Sequence, residues 1–309
     1  MEKILRVNMG GKDGPEYKIE DIPQKYAGLG GRAMTAAVIS SEVDPMCHPL
    51  GKKNKLVIAP GLLSGTTAAM SGRISIGCKS PLTGGIKESN AGGQPAQVLA
   101  RLGYAAIIIE GKANHDATYV MHINSDGITI KEDKKLKMLP NYDLVEKLKK
   151  QYGDKITCIS IGPAGEMKMS AASIACTDME LRPSRHAGRG GTGAVMGSKG
   201  LKAIVLDDSG MKMRSPKDPE RFREANKVFV NGLKTHPVTG EALPAYGTNV
   251  LANIINEAGA YPTRNFSEGQ FEGVTKISGE TQAELETSRG GKARSEEHTS
   301  ELQSLLITS

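Results

Sequence analysis

The chain has 309 residues, with 40 Lys and Arg against 34 Asp and Glu, giving a formal charge of +6. Aromatic residues are 4% and Trp is absent, which excludes the aromatic platforms on which single-stranded nucleic acids stack. No apolar run reaches the roughly 18 residues of a membrane span and no signal peptide precedes the first strand, so a cytoplasmic protein without membrane or nucleic-acid partners is expected.

Lys3–Asn8 and Tyr17–Ile19 read as two strands of an N-terminal hairpin. Gly28, Gly30 and Gly31 then open an alanine-rich helix over about Arg32–Val43. This GLGGR turn lacks the complete dinucleotide fingerprint. Lys55–Ala59 is a strand, and the alternation in RISIGCKS predicts another, with Arg73 at its start as a donor to a buried anion or a solvated cation. Glu88–Gly93 (ESNAGG) reads as a small-residue turn before a helix over about Gln94–Leu102. Asn90 there either offers its amide to a ligand or caps the helix. Tyr104–Glu110 is a central strand, and Ala117–Ile123 and Ile128–Ile130 form a hairpin around Asn124–Gly127. The run Lys131–Met138 reads as an exposed loop. Asn141–Tyr152 is an amphipathic helix with Leu144, Val145 and Leu148 on one face, Ile156–Ile161 is a strand, and Gly162–Glu166 is a turn.

Ser184–Ile204, SRHAGRGGTGAVMGSKGLKAI, is too rich in glycine and alanine to build a core from its side chains, and it ends in a buried strand. It is either a seat for a phosphate or pyrophosphate, with its backbone N–H groups as donors, or a tight loop between packed elements. GSKG at Gly197–Gly200 has Ser and Lys in the wrong order for a nucleotide-binding P-loop. Cys47, Cys78, Cys158 and Cys176 are too far apart for a metal-ligand set. His115, His122, His186 and His236 stand alone, and Glu166 and Asp178 suit capping, so no catalytic residue is assigned. From Ser215 the texture changes: Phe222, Ala225, Val228, Phe229 and Leu233 recur at helical spacing, and Asn249–Ala258 is a further helix. The fold class is α+β: a β-rich N-terminal domain with antiparallel sheets and a few helices, residues 1–210, followed by the incomplete start of an all-helical domain, 211–293.

RVN, GRISIGCKSPLTG, SNAGG, GYAAIIIEGKA, IGPAGE, HAGRGGTGAVMGSKGLKAI and AYGTNVLANIINEAGAYPTRNF, in this order, resemble the tungsten-dependent aldehyde:ferredoxin oxidoreductase family over roughly residues 3–280. The resemblance implies tungsten, or molybdenum, on two pterin dithiolenes, a [4Fe–4S] cluster, magnesium, and a β-rich base beneath the pterins. It matches Asn90, Ala91, Gly92 and Gly93, and Arg185, His186, Ala187 and Gly188, to the two segments that hold pterin phosphates. Asn90 and the backbone carbonyl of His186 match positions reaching magnesium, and Arg73 matches an arginine between cluster and pterin. The histidine side chain stands where a small residue is expected, a change that a backbone role tolerates. The implied activity is oxidation of an aldehyde to a carboxylic acid, with electrons passed to ferredoxin or an iron–sulfur subunit; the resemblance leaves open whether the protein is an oligomer.

The C-x-x-C-x-x-x-C cluster set of the family has no counterpart among the four cysteines. RSEEHTSELQS at Arg294–Ser304 resembles a translated sequencing adapter, so residues 294–309 are expected not to be native and the chain to be an inactive N-terminal fragment. Two alternatives stand beside the aldehyde oxidoreductase: an aromatic-ring acyl-CoA reductase subunit of the same family, and a non-catalytic protein that binds phosphate or a nucleotide.

Overall fold

A computed structural model describes residues 2–114 and 116–291, so His115 and the suspected adapter segment lie outside the described residues. The chain divides into two compact units, Met1–Ser215 and Pro216–Ser309.

The first unit holds two six-stranded sheets. One runs in the order β2 (Glu16–Asp21), β1 (Lys3–Asn8), β6 (Tyr104–Glu110), β3 (Leu56–Pro60), β4 (Ile74–Lys79), β5 (Ile86–Ala91). The other runs β11 (Arg185–Ala187), β10 (Ile174–Cys176), β9 (Thr157–Ser160), β12 (Leu201–Leu206), β7 (Tyr119–Asn124), β8 (Gly127–Glu132). Most strands pair antiparallel, as the sequence suggested, but β1 runs parallel to β6 and β7 parallel to β12, so both sheets are mixed.

Strand alternation assigns each side chain to one of three cores. Leu5, Leu56, Ile58, Ile107 and Ile109 of the first sheet join Met121, Ile159, Ile204 and Leu206 of the second in one continuous core. The intervening Ile4, Val57, Ala106 and Ile108 face Met34, Val38 and Ile39 of α1 (Gly31–Glu42). Val120, Ala203 and Val205 face Leu144, Val145 and Leu148 of α3 (Asn141–Tyr152), the face read from the sequence. Gly77 lets α1 lie close on β4, because a Cβ there would come 2.6 Å from Thr35 Cβ. α2 (Pro95–Arg101) adds Val98 and Leu99 to the central core.

Three local expectations are corrected. ESNAGG is not a turn throughout: its first four residues complete β5, paired with β4 as Ser75↔Asn90 and Ile74↔Ala91. GPAGE is a short helix, α4 (Pro163–Glu166). The glycine-rich stretch does contribute to the core, since it folds as β11 and then α5 (Thr192–Ser198), whose Ala194, Val195 and Met196 are fully buried. Its glycines make this possible by backbone-to-backbone packing: a Cβ on Gly197 would lie 2.0 Å from Gly165 O, and one on Gly193 would lie 2.3 Å from Ser173 O.

The second unit is helical. α6 (Pro219–Thr235) starts with Asp218 accepting from Arg221 N at 3.0 Å and has Pro219 in its first turn. None of its residues is buried, although its apolar spacing is helical. α7 (Leu243–Tyr246), α8 (Leu251–Glu257) and α9 (Gly279–Ser288) follow, with α9 fitted against Tyr246 through the bare backbone of Gly279. No helix among the described residues is long and apolar enough to cross a membrane.

Candidate anion and cofactor site

β5 and β11 are edge strands of different sheets, and the structure brings them together. Arg189 N donates to Ser89 Oγ at 3.2 Å, and Ser80 Oγ donates to Gly190 O at 2.7 Å. Gln94 N donates to Thr177 O at 3.0 Å. Gly93, at φ +97°, leaves no room for a side chain, since a Cβ would lie 2.2 Å from that same Thr177 O. Asn90–Gly93 and Arg185–Gly188 are nearly a hundred positions apart in the chain but neighbours in the fold. Arg73 joins them from the start of β4; the Cβ position of the adjacent Gly72 lies 3.7 Å from Gly93 O.

The exposed surface at this junction is cationic and bare. Arg73, Arg189 and Gly188 are exposed and Arg185 is half-buried. A Cβ on Gly188 would meet only His186 O, at 3.9 Å, so the backbone is open to close approach. Asn90 Oδ1 accepts from Ser75 Oγ at 2.6 Å, which fixes the amide and leaves a carbonyl lone pair for a cation. The His186 side chain is exposed, and its Nδ1 lies 2.9 Å from Ser173 Oγ. Ala91 and Ala187 are buried and shape the edge from beneath. Guanidinium groups, bare backbone and one oriented amide oxygen form a donor set that fits phosphate with its divalent counter-ion.

Asp178 holds the second segment in place. Its buried carboxylate accepts from Glu180 N, Arg182 N, Arg182 Nε and Ser184 Oγ at 2.8–3.0 Å. Burial alone would raise this carboxyl, but these hydrogen bonds prevail and hold it below its ordinary value. The capping role read from the sequence is thus seen for Asp178. Glu166 instead accepts from Met138 N at 3.0 Å and pairs with Lys202. Lys199 of GSKG is fully buried and donates to the carbonyls of Gly51, Asn54 and Gly111 at 3.3, 2.5 and 2.7 Å, a clamp on two loops. Nothing in the sequence signalled Ser89 or Thr177, which join the two segments through single hydrogen bonds.

All four cysteines are buried free thiols, and burial pushes Cys78, Cys158 and Cys176 up to about 12. Among the described residues no three His, Cys, Asp or Glu side chains group to hold a metal ion.

Residues 4–208 match the family described as aldehyde ferredoxin oxidoreductase, N-terminal domain, and residues 224–293 match its domains 2 and 3. The tungsten-containing aldehyde ferredoxin oxidoreductase of Pyrococcus abyssi is 42% identical over 91% of this chain and 45% of its own length. That of Thermococcus kodakarensis is 40% identical over 90% of this chain and 44% of its own. The chain therefore spans less than half the length of these relatives. Among solved structures, the active-site complex BamBC of benzoyl coenzyme A reductase, with 1,5-dienoyl-CoA, superimposes with a TM-score of 0.67 at 31% identity. The match covers 75% of this chain and 34% of that one. With both domain descriptions matched in order, and with relatives about 40% identical over nine-tenths of its length, the chain belongs to the aldehyde ferredoxin oxidoreductase family.

Proposed function

We propose that the first unit is the cofactor-binding base of a tungsten bis-pterin oxidoreductase that oxidises aldehydes to carboxylic acids and delivers the electrons, through a [4Fe–4S] cluster, to ferredoxin or an iron–sulfur subunit. The observation that carries this reading is the convergence of Arg73, Asn90–Gly93 and Arg185–Gly188 at one cationic, glycine-lined edge. Arg185, Ala187, Gly188 and the Ala91–Gly93 backbone would hold the two pterin phosphates, Asn90 Oδ1 and His186 O would hold magnesium, and Arg73 would add positive charge for the cofactor. When bound, the tungsten–pterin group supplies the two-electron redox chemistry; the residues of this chain bind it, orient it and balance its charge. The 39–42% identity to tungsten-containing aldehyde oxidoreductases supports tungsten over molybdenum and an aldehyde as substrate.

The likeness to the benzoyl coenzyme A reductase complex supports a second reading, in which the same base serves reduction of an aromatic acyl thioester. Elemental and pterin analysis of the protein purified anaerobically from cells grown with tungstate tests the cofactor assignment. The expected result is tungsten with about two pterins per metal. Recovery of a bound nucleotide with neither tungsten nor pterin would overturn it in favour of a phosphate-binding protein.

A further inference from the structure

A second concave site lies at the opposite end of α5 from the cofactor edge. It is a cavity of about 460 Å³ within the first unit, a size that suits a small-molecule ligand. Lys112, Lys137, Lys168 and Lys202 line it, against only two carboxylates, Asp116 and Glu166. Both carboxylates are engaged: Lys137 Nζ pairs with Asp116 at 2.5 Å, and Lys202 Nζ pairs with Glu166. Lys112 and Lys168 are exposed, and no carboxylate among the described residues pairs with either, so both ammonium groups are open to an anion there. Lys202 is 1% exposed, and its three N–H groups have two acceptors, Glu166 and Leu139 O.

Lys168 adds an independent observation. It follows α4 in the left-handed region, at φ +59°. Lys168 N bonds to Gly165 O at 2.9 Å and Met169 N to Ala164 O at 3.0 Å, the paired bonds of a helix stop whose left-handed residue is usually glycine. The backbone cannot relax away from this conformation easily, because Gly165 and Gly197 press α4 and α5 together. A strained lysine therefore stands at the cavity where glycine would be easier, and strain of this kind collects at functional positions.

We propose that this cavity binds a small phosphate-class oxyanion, with Lys112 and Lys168 as its ligands and the buried Lys202 ammonium behind them. The site is separate from the cofactor edge and does not depend on the function proposed there.

The test is calorimetric titration of the 309-residue chain with inorganic phosphate in Mg²⁺-free buffer, in which the cofactor edge is not expected to fill, beside urea unfolding of each variant. Lys168→Gly is expected to leave stability unchanged or raise it, because it relieves the left-handed lysine, while weakening phosphate binding about tenfold or more. Lys112→Gln is expected to weaken binding similarly, and Lys150→Gln, exposed on α3 and outside the cavity, to leave it unchanged. Saturable binding that survives both lysine substitutions, or that is lost in Lys150→Gln, would overturn the proposal. So would the absence of saturable binding up to about 10 mM phosphate, a concentration at which even a weak millimolar site fills.

Discussion

At Gly93 two requirements coincide: a backbone at φ +97° and a carbonyl, that of Thr177, 2.2 Å from where a side chain would begin. Only glycine meets both, and the consequence is functional, because this contact sets β5 and the loop before β11 against each other. Gly93→Ala is expected to destabilise the chain by about 2 kcal/mol or more, combining conformational strain with displacement of Thr177. Gly85, with nothing within 4 Å of its Cβ position and no left-handed backbone, is the internal control: Gly85→Ala should change stability by less than about 0.5 kcal/mol. Urea unfolding of the two variants checks both values. Equal stabilities would mean that Thr177 does not hold Gly93 in place. Asp178 shows the same economy on the other side of the junction, one buried carboxylate ordering the turn that leads into Arg185.

Among the elements, α1 is fixed to its sheet by charge as well as by packing. Glu42, at its C-terminal end, accepts from Arg6 of β1 at 2.9 Å, from Lys55 beside β3 at 2.7 Å and from Tyr26 at 2.8 Å. Arg6 and Lys55 also reach Glu110 of β6. Burial pushes the Glu42 carboxyl up, but these donors outweigh it and bring it from 4.5 down to about 2. A carboxyl depressed in the fold stabilises it fully above its unfolded value, and that contribution is lost as pH falls toward the folded one. Stability should therefore drop between about pH 5 and pH 2, by on the order of 1–2 kcal/mol from this group once solvent screening is allowed for. Glu42→Gln should flatten that part of the urea-midpoint profile, and an unchanged slope would remove Glu42 from the account. α3 and β12 were legible in the sequence because their patterns are local: a helical apolar stripe and a six-residue buried run. ESNAGG was misread because what makes it a strand is its pairing with β4. The stretch from Thr192 to Ser198 was misread as coreless because its helix is buried through glycine contacts with Gly165 and Ser173, which hydrophobic periodicity does not register. The parallel pairing of β1 with β6 joins Lys3 to Tyr104, a separation that no local pattern encodes.

For the molecule as a whole, the candidate site was legible as an ordered set of small-residue motifs, and illegible as a place. Arg73, Asn90 and Arg185 could each be singled out from the sequence. What gathers them is the meeting of two sheet edges through Ser89, Thr177 and Gly93, residues with no chemical signature of their own. Part of the excess of positive charge lies at that meeting point, where Arg73 and Arg189 are exposed beside glycine backbone. The most direct test of this account is a fluorescence titration of the chain with a pterin monophosphate, with and without Mg²⁺. Saturable binding is expected that requires Mg²⁺ and weakens about tenfold in Asn90→Ala, with ADP bound less tightly than the pterin. Binding indifferent to Mg²⁺ and to Asn90, or tighter binding of ADP, would contradict it.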